Sequence, residues 1–219
     1  MSPFILPSVL ILSSYLFGAI PTGLAVAKYA KGVDIRNYGS GNTGMANVTR
    51  SVGVLPGMLV LILDTSKGVL PIVSIRILEA KLGPIHGFQG SLEVLCGIAS
   101  LLGHNWSVYF KFTGGKGAAT GMGTLVALSP LSFFVAASVA LLALVPFRYM
   151  SLASITGSIA GGLALVILSV VGSHPNVWGF YGVIGASLIV FQHRGNIERL
   201  WNGTETKLGQ PGIRRPPVD

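Results

Sequence analysis

Apolar runs of, or close to, membrane-spanning length follow one another along nearly the whole chain. They lie near residues 4–27, 54–78, 92–104, 118–146, 152–172 and 177–192. A helix needs roughly 20 apolar residues to cross the hydrocarbon of a bilayer. Only 10% of the 219 residues are charged, whereas a soluble domain has about 25%. The sequence therefore predicts an all-α integral membrane protein, with residues 1–219 forming a single multi-pass domain.

The run at 118–146 is too long for one ordinary span and contains Ser129-Pro130. Proline inside a helix removes a hydrogen bond and clashes with the preceding turn. We therefore expect two short helices here, at roughly 118–129 and 131–146. This division predicts about seven transmembrane helices, some of them short.

The basic residues predict the orientation of these helices. With seven spans and the N-terminus outside, the segments 28–53, 105–117, 147–151 and 193–219 all lie on one side. That side holds twelve of the basic residues, namely Lys28, Lys31, Arg36, Arg50, Lys111, Lys116, Arg148, Arg194, Arg199, Lys207, Arg214 and Arg215. The other side holds only Arg76 and Lys81, so the positive-inside rule places the C-terminus in the cytoplasm. The net charge of +8 thus indicates membrane orientation and anionic substrates, not nucleic acid.

Residues 39–50, GSGNTGMANVTR, form the first predicted cytoplasmic loop. Glycines allow the backbone to approach a ligand closely, and Arg50 offers a planar, permanently charged donor that suits phosphate. An anion-binding loop is one interpretation and a flexible turn is the other. The candidate binding residues in this loop are Gly39, Ser40, Gly41, Asn42, Gly44, Asn47 and Arg50.

A second loop, LGHNWSVYFKFTGGKGAATG at 102–121, places Gly114, Gly115, Lys116 and Gly117 directly before an apolar helix. Backbone N–H groups, the helix dipole and an ammonium then surround one anion. The spacing is not that of a nucleotide-binding phosphate loop, so it does not predict nucleotide hydrolysis. A lysine that only anchors a span is the alternative. His104 lies at the start of the same stretch.

The third cluster, FQHRGNIERLWNGTETKLG at 191–209, places His193 and Asn196 on one face of a helix. His193 is a candidate general base or phosphate donor, or a residue that interacts with the last carbonyls of a helix. The segment after Arg148 adds the hydroxyls of Ser151 and Ser154. Arg148 either adds another cation to this side of the membrane or only anchors the end of a helix.

The remaining polar residues predict packing and not chemistry. Cys96 is the single cysteine and lies in an apolar run, so we interpret it as a core residue. Asp64 and Lys67 are three residues apart in the second apolar run and are expected to pair inside the membrane.

The sequence has no clear metal-ligand cluster, and we expect no metal, no cofactor and no obligate protein partner.

Together and in order, these motifs resemble the membrane-bound bacterial glycerol-3-phosphate acyltransferases that use acyl phosphate as donor. The resemblance runs from GAIPTG at 18–23, through GSGNTGMANVTR, LGHNWSVYFKFTGGKG and RYMSLASI, to HRGNIERLWNGTETK at 193–207. It thus covers nearly the full chain. Met45-Ala46 and Ser107 stand where the family commonly has alanine-threonine and proline.

The resemblance implies that the sn-1 hydroxyl of glycerol 3-phosphate attacks the carbonyl of a fatty acyl phosphate, giving lysophosphatidic acid and phosphate. It implies a location in the bacterial inner membrane, with the active site on the cytoplasmic side. The expected catalytic residues are Ser40, Arg50, Lys116, His193 and Asn196. The expected substrate-binding residues are Gly39, Gly41, Asn42, Gly44, Asn47, His104, Gly114, Gly115, Gly117, Ser151 and Ser154. The alternative function is a transporter of a phosphorylated or anionic metabolite, which would use similar loops.

Overall fold

The computed structural model describes residues 4–85 and 87–214, so Arg215 and His86 lie outside the described residues. Within these ranges the secondary structure is helical, with two isolated β-bridges and no β-sheet. The all-α prediction is therefore confirmed for the described part of the chain. The helices are α1 Ile5–Gly18, α2 Thr22–Lys31, α3 Met45–Ser51, α4 Val54–Leu82, α5 Ser91–Asn105, α6 Ala118–Leu128, α7 Pro130–Phe147, α8 Met150–Val170, α9 Trp178–Gln192 and α10 Arg194–Trp201.

In the described part of the chain, four helical segments are long and apolar enough to cross a membrane. They are Ile5–Lys31, which joins α1 and α2, together with α4, α7 and α8. The helices α6 and α9 are apolar but shorter. Packing against longer neighbours and local thinning of the bilayer allow such helices to lie in a membrane.

The first apolar run, predicted as one span, consists of two helices separated at residues 19–21, which together are long enough to cross a membrane. Pro21 explains the break, because its ring removes a backbone donor and restricts the residue before it. The Lys67 ammonium donates to the Ile20 carbonyl at 2.7 Å and to the Thr22 hydroxyl at 3.0 Å. A buried side chain of α4 thus supplies the donor that this break requires.

The predicted pairing of Asp64 with Lys67 is confirmed. Lys67 Nζ lies 2.7 Å from Asp64 Oδ1, and each side chain is 3% exposed. The Thr22 hydroxyl also donates to Asp64. Because each charge has a partner and further hydrogen bonds, the pair can be buried without leaving an isolated ion.

The predicted break at Ser129-Pro130 is also confirmed. Helix α6 ends at Leu128 and α7 begins at Pro130, so the observed bounds differ from the predicted ones by one residue. Ser129 caps α7, with its hydroxyl accepting from the Ser132 backbone N–H at 3.2 Å. The backbone N–H of the first residue in a helix has no partner within that helix, so proline is accepted at this position. The chain can therefore end one helix at Leu128 and begin the next at Pro130.

Glycines bring the helices around the core into backbone contact. A Cβ on Gly123 of α6 would overlap the Thr65 carbonyl of α4, and one on Gly162 of α8 would overlap the Gly182 carbonyl of α9. Small residues at such contacts are typical of helix packing in membranes. The largest core cluster lies beside these contacts and consists of Ile72, Val94, Leu125, Ala127, Leu128, Ala136, Leu165, Trp178 and Tyr181.

Candidate active site

A cavity of about 540 Å³ lies between α6, α7, α8 and α9 and reaches the loops at one end. It collects most of the residues that the sequence suggested. All five candidate catalytic residues line it, as do seven of the candidate binding residues. The twelve are Ser40, Arg50, Lys116, His193, Asn196, Asn42, Gly44, Asn47, His104, Gly117, Ser151 and Ser154.

The other four predicted binding residues do not line this cavity. Gly41, Gly114 and Gly115 line a second, smaller cavity of about 90 Å³, which His104 also borders. Gly39 is the first residue of the 39–50 loop, and its backbone N–H donates to the Ile213 carbonyl at 2.8 Å. Apart from Gly44 and Gly117, the predicted glycines therefore shape the loops around the cavity and do not form its wall.

Asn47 holds the first loop in shape. Its side-chain oxygen accepts from the Ser40 backbone N–H at 3.1 Å, and its amide nitrogen donates to the Tyr38 and Asn42 carbonyls at 3.0 and 2.8 Å. The residue is 1% exposed. Gly39 and Gly41 have φ of +52° and +73°, a region that glycine adopts without strain. Asn47 therefore positions Ser40, and its own contact with substrate stays a prediction.

Arg50 projects into the cavity from the last turn of α3. Its Nε donates to the Ala46 carbonyl at 3.1 Å, which fixes the orientation of the guanidinium. A guanidinium held in this way loses little further freedom when it binds a phosphate. The structure thus presents a preoriented cation in the cavity that Ser40 also lines.

The second loop ends in a helix N-terminus that faces the cavity. Gly117, with φ of +80°, precedes the first residue of α6. The Gly115 N–H donates to the His104 carbonyl at 2.9 Å, and a Cβ on Gly115 would overlap the His104 ring. Lys116, Gly117, Ala118 and Ala119 all line the cavity, so an ammonium and a helix N-terminus border one region, where an anion is favoured.

The third cluster is a hydrogen-bonded network centred on Glu205, which the sequence analysis did not single out. The Glu205 carboxylate accepts from Asn196 Nδ2 at 2.7 Å, from Ser151 Oγ at 2.8 Å and from Arg199 Nε at 2.7 Å. Lys116 Nζ donates to Asn196 Oδ1. Glu205 lies within the HRGNIERLWNGTETK stretch, and its place in that motif was the one available signal.

The pKa values of Lys116 and Glu205 are both shifted from their ordinary values. Burial and the nearby Arg199 guanidinium lower the pKa of Lys116 to about 8. Burial alone would raise the pKa of Glu205, but its hydrogen bonds from Asn196, Ser151 and Arg199 bring the pKa below its ordinary value. At neutral pH the cavity therefore contains a protonated lysine and an ionised glutamate.

His193 lies between α9 and α10 with its ring buried. Its Nδ1 is 2.7 Å from the Ile189 carbonyl oxygen. A carbonyl only accepts, so Nδ1 carries the proton and Nε2 is an acceptor. Burial lowers the pKa of His193 to about 4, which keeps the ring neutral at physiological pH. The site thus offers a neutral imidazole that can accept a hydrogen bond from a hydroxyl.

His104 connects the buried ion pair with the second loop. Its Nδ1 lies 3.6 Å from Asp64 Oδ1, and its ring packs against Gly115. Among residues 4–85 and 87–214, no group of three or more His, Cys, Asp or Glu side chains lies close enough to hold a metal ion. The chemistry that these residues offer is anion binding, hydrogen bonding and the positioning of a hydroxyl.

The sequence matches proteins of known name over almost all of its length. Glycerol-3-phosphate acyltransferases from Thermoanaerobacter sp. (strain X514) and Halalkalibacterium halodurans are each 40% identical to it, covering 90% and 92% of this chain and 93% and 95% of their own. The protein of that name from Geotalea daltonii is 42% identical over 90% of this chain and 95% of its own.

Solved structures agree with these sequence matches. The chain is similar to the crystal structure of PlsY, an integral membrane glycerol 3-phosphate acyltransferase, in its glycerol 3-phosphate form. The TM-score is 0.80 and the identity 41%, over 93% of this chain and 96% of that one. The lysophosphatidic acid form matches with a TM-score of 0.78, at 40% identity over 93% and 95% of the two chains. The family model for glycerol-3-phosphate acyltransferase matches residues 8–203, and the chain belongs to this family of integral membrane proteins.

Proposed function

We propose that this protein transfers a fatty acyl group from acyl phosphate to the sn-1 hydroxyl of glycerol 3-phosphate, giving lysophosphatidic acid and inorganic phosphate. The observation that carries the proposal is the 540 Å³ cavity, which joins cationic and hydrogen-bonding groups at one end to an apolar slot at the other. Both reactants contain a phosphate, and one of them also has a long apolar tail. A cavity of this kind can hold the two reactants side by side.

Two cations bind the phosphates. Arg50 reaches the cavity from α3, and Lys116 reaches it from the start of α6. The Ser40 hydroxyl and the N–H groups at the N-terminus of α6 supply neutral donors beside them. Charge-assisted hydrogen bonds are about twice as strong as neutral ones, so Arg50 and Lys116 provide most of the affinity for phosphate.

The acceptor lies against the Glu205 network. Glu205 accepts from Asn196 and Ser151 and thereby fixes both side chains at the cavity wall. Asn196 and Ser151 orient glycerol 3-phosphate, and His193 Nε2 accepts a hydrogen bond from its reacting hydroxyl. Holding two reactants in a productive geometry can contribute roughly 7–11 kcal/mol to lowering the barrier.

The acyl transfer needs no separate activation of the leaving group. The sn-1 hydroxyl oxygen attacks the acyl carbonyl carbon, the bond from that carbon to the phosphate oxygen breaks, and its electron pair leaves with the phosphate. The hydroxyl proton passes to an oxygen of the departing phosphate. Arg50 and Lys116 stabilise the negative charge that develops on the carbonyl oxygen and the leaving group.

The site faces the cytoplasm of a bacterial inner membrane, and the chain crosses the membrane seven times with its N-terminus outside. The segments 28–53, 105–117, 147–151 and 193–219 each contribute a residue to the one cavity, namely Arg50, Lys116, Ser151 and Asn196. This convergence supports their location on one side. The excess of basic residues in these four segments supports the cytoplasm as that side.

Proteoliposomes that contain labelled glycerol 3-phosphate separate this function from transport. The enzyme converts the label to lysophosphatidic acid only when palmitoyl phosphate is supplied. A transporter instead moves the label across the bilayer unchanged and does so without an acyl donor. Movement without conversion would overturn the proposal.

A further inference from the structure

The apolar part of the cavity is a slot that runs beside α7. Its lining residues along this helix are Leu144, Leu141, Ala140, Ala137 and Phe133. We call the polar lining residues Ser40, Arg50, Lys116, Ser151, His193 and Asn196 the polar cluster. Leu144 lies in the last turn of α7, shortly before Ser151 along the chain, whereas Phe133 lies in the first turn. The slot therefore extends from the polar cluster toward the opposite end of the helix.

The lining residues on α6, α8 and α9 show that the slot extends away from the polar cluster along these helices too. The lining residue farthest along α6 from Lys116 is Val126, and the one farthest along α8 from Ser151 is Gly162. On α9 the residue farthest from His193 is Tyr181. Together with Phe133, these residues form what we call the far wall: Val126, Phe133, Gly162 and Tyr181.

Most of the far wall is fixed by packing. Gly162 is in backbone contact with α9, and Tyr181 is 2% exposed within the main core cluster. Phe133 is only partly buried and packs against the edge of that cluster. Its ring is thus the large apolar group of the wall that can be changed with the least damage to the fold.

The length of the slot matches a common fatty acyl chain. Leu144 and Phe133 are eleven residues apart on one helix, which corresponds to about 16 Å at 1.5 Å per residue. An extended chain advances roughly 1.2 Å per bond. The slot therefore has room for about 14 carbons beyond the group that lies in the polar cluster.

We propose that the Phe133 ring determines the acyl-chain specificity of this protein, by closing the slot to straight-chain acyl donors longer than about 16 carbons. This inference rests on the proposed function. Each additional buried methylene increases binding roughly fourfold, so kcat/KM rises with chain length until the chain reaches the ring. Beyond that length, the extra carbons cannot be buried unless the chain bends or the ring moves.

The test is a set of chain-length profiles measured with acyl phosphates from dodecanoyl to icosanoyl. Each donor is supplied at the same mole fraction in mixed micelles, and kcat/KM is measured for the wild-type protein and for Phe133→Ala, Phe134→Ala and Ala137→Leu. Phe134 is the matched control, because it is 64% exposed on the outer surface of the same turn and does not line the cavity. Thermal unfolding of each variant monitors its folding.

The wild type and Phe134→Ala are expected to share an optimum at 14 to about 16 carbons. Phe133→Ala is expected to increase the kcat/KM of octadecanoyl phosphate relative to palmitoyl phosphate by roughly 15-fold, since two more methylenes are buried. Ala137→Leu places a larger side chain about 6 Å nearer the polar cluster and is expected to shift the optimum to shorter chains. This second variant tests the inference even if Phe133→Ala does not fold.

Two results would contradict the proposals, and they are distinguishable. If the wild type uses acyl phosphates but all variants keep its profile, the inference about Phe133 is wrong, because the chain must then leave the slot sideways into the bilayer. If the wild type makes no product with any acyl phosphate, the proposed function itself is wrong.

Discussion

Lys116 and Glu205 bind opposite ends of one carboxamide, that of Asn196. The lysine donates to the amide oxygen, and the carboxylate accepts from the amide nitrogen. An amide between a cation and an anion has one favourable orientation, so the direction of Asn196 is determined by its two neighbours. The loop before α6, helix α10 and the segment after α10 are thereby joined at the cavity wall.

Removing the Glu205 charge should weaken both stability and substrate binding. In Glu205→Gln, Arg199 loses its ion-pair partner, and Asn196 and Ser151 lose a charged acceptor. We expect the free energy of unfolding to fall by about 1.5–3 kcal/mol and the KM for glycerol 3-phosphate to rise. Glu198→Gln is the control, because Glu198 is exposed on α10, and its effect should be within about 0.5 kcal/mol. Equal effects of the two substitutions would show that the network is unimportant.

The sequence alone predicted the cations of the site but not the carboxylate that organises them. Arg50 and Lys116 were recognisable because glycines surround them in loops that follow apolar runs. Glu205 was not, because its position depends on how the chain folds back after α10. The Leu208 N–H donates to the Arg148 carbonyl at 2.6 Å, and the Gly39 N–H donates to the Ile213 carbonyl at 2.8 Å. Hydrogen bonds between such distant segments leave no periodic pattern in the sequence.

In the fold, too, local features could be predicted from the sequence and long-range contacts could not. The turn at Ser129-Pro130 could be predicted because proline and a capping serine act locally. The break before Pro21 was missed, since a single proline in an apolar run can also kink a continuous helix. Its stabilisation by Lys67, 47 residues away along the chain, follows only from tertiary packing.

Lys116 should give the enzyme an alkaline limit. Its pKa is about 8, so the side chain is charged below this pH and loses its proton above it. Glycerol 3-phosphate is already a dianion there, because the second pKa of a phosphate monoester is about 6. We expect kcat/KM to fall about tenfold per pH unit above pH 8.

The variant that tests this assignment is Lys116→Arg. A guanidinium stays charged throughout this range, so the alkaline fall should disappear even though the absolute activity is lower. The measurement is the ratio of kcat/KM at pH 9 to that at pH 7 for each protein. An unchanged alkaline fall in Lys116→Arg would assign the titration to another group.

His193 should act by orienting a hydroxyl and not as the principal base. Burial lowers the pKa of its ring to about 4, which makes it a weak proton acceptor at neutral pH. Glutamine can still accept a hydrogen bond, so His193→Gln should keep kcat within about tenfold of the wild type. His193→Ala removes the acceptor and should cost about 100-fold, because the hydroxyl is then no longer held in the productive position. A loss in His193→Gln as large as in His193→Ala would instead identify His193 as the base.

The shape of the first loop should control phosphate affinity. Gly32 and Gly39 both have positive φ, but a Cβ on Gly39 would overlap Asn47 Oδ1, whereas a Cβ on Gly32 would contact nothing within 4 Å. Alanine at either position costs about 1–2 kcal/mol through backbone strain. Only Gly39→Ala should also displace the Asn47 contact with Ser40 and raise the KM for both phosphate substrates severalfold. Similar KM values in the two variants would show that the loop does not bind phosphate.

The most direct test of the central claim is the release of inorganic phosphate by the purified protein. Palmitoyl phosphate is supplied with and without glycerol 3-phosphate, and palmitoyl-CoA is supplied in parallel. The account predicts one phosphate released for each lysophosphatidic acid formed, dependence on glycerol 3-phosphate, no reaction with palmitoyl-CoA, and loss of release in Arg50→Ala and Lys116→Ala. Lysophosphatidic acid formed from palmitoyl-CoA, or none from either donor, would contradict it.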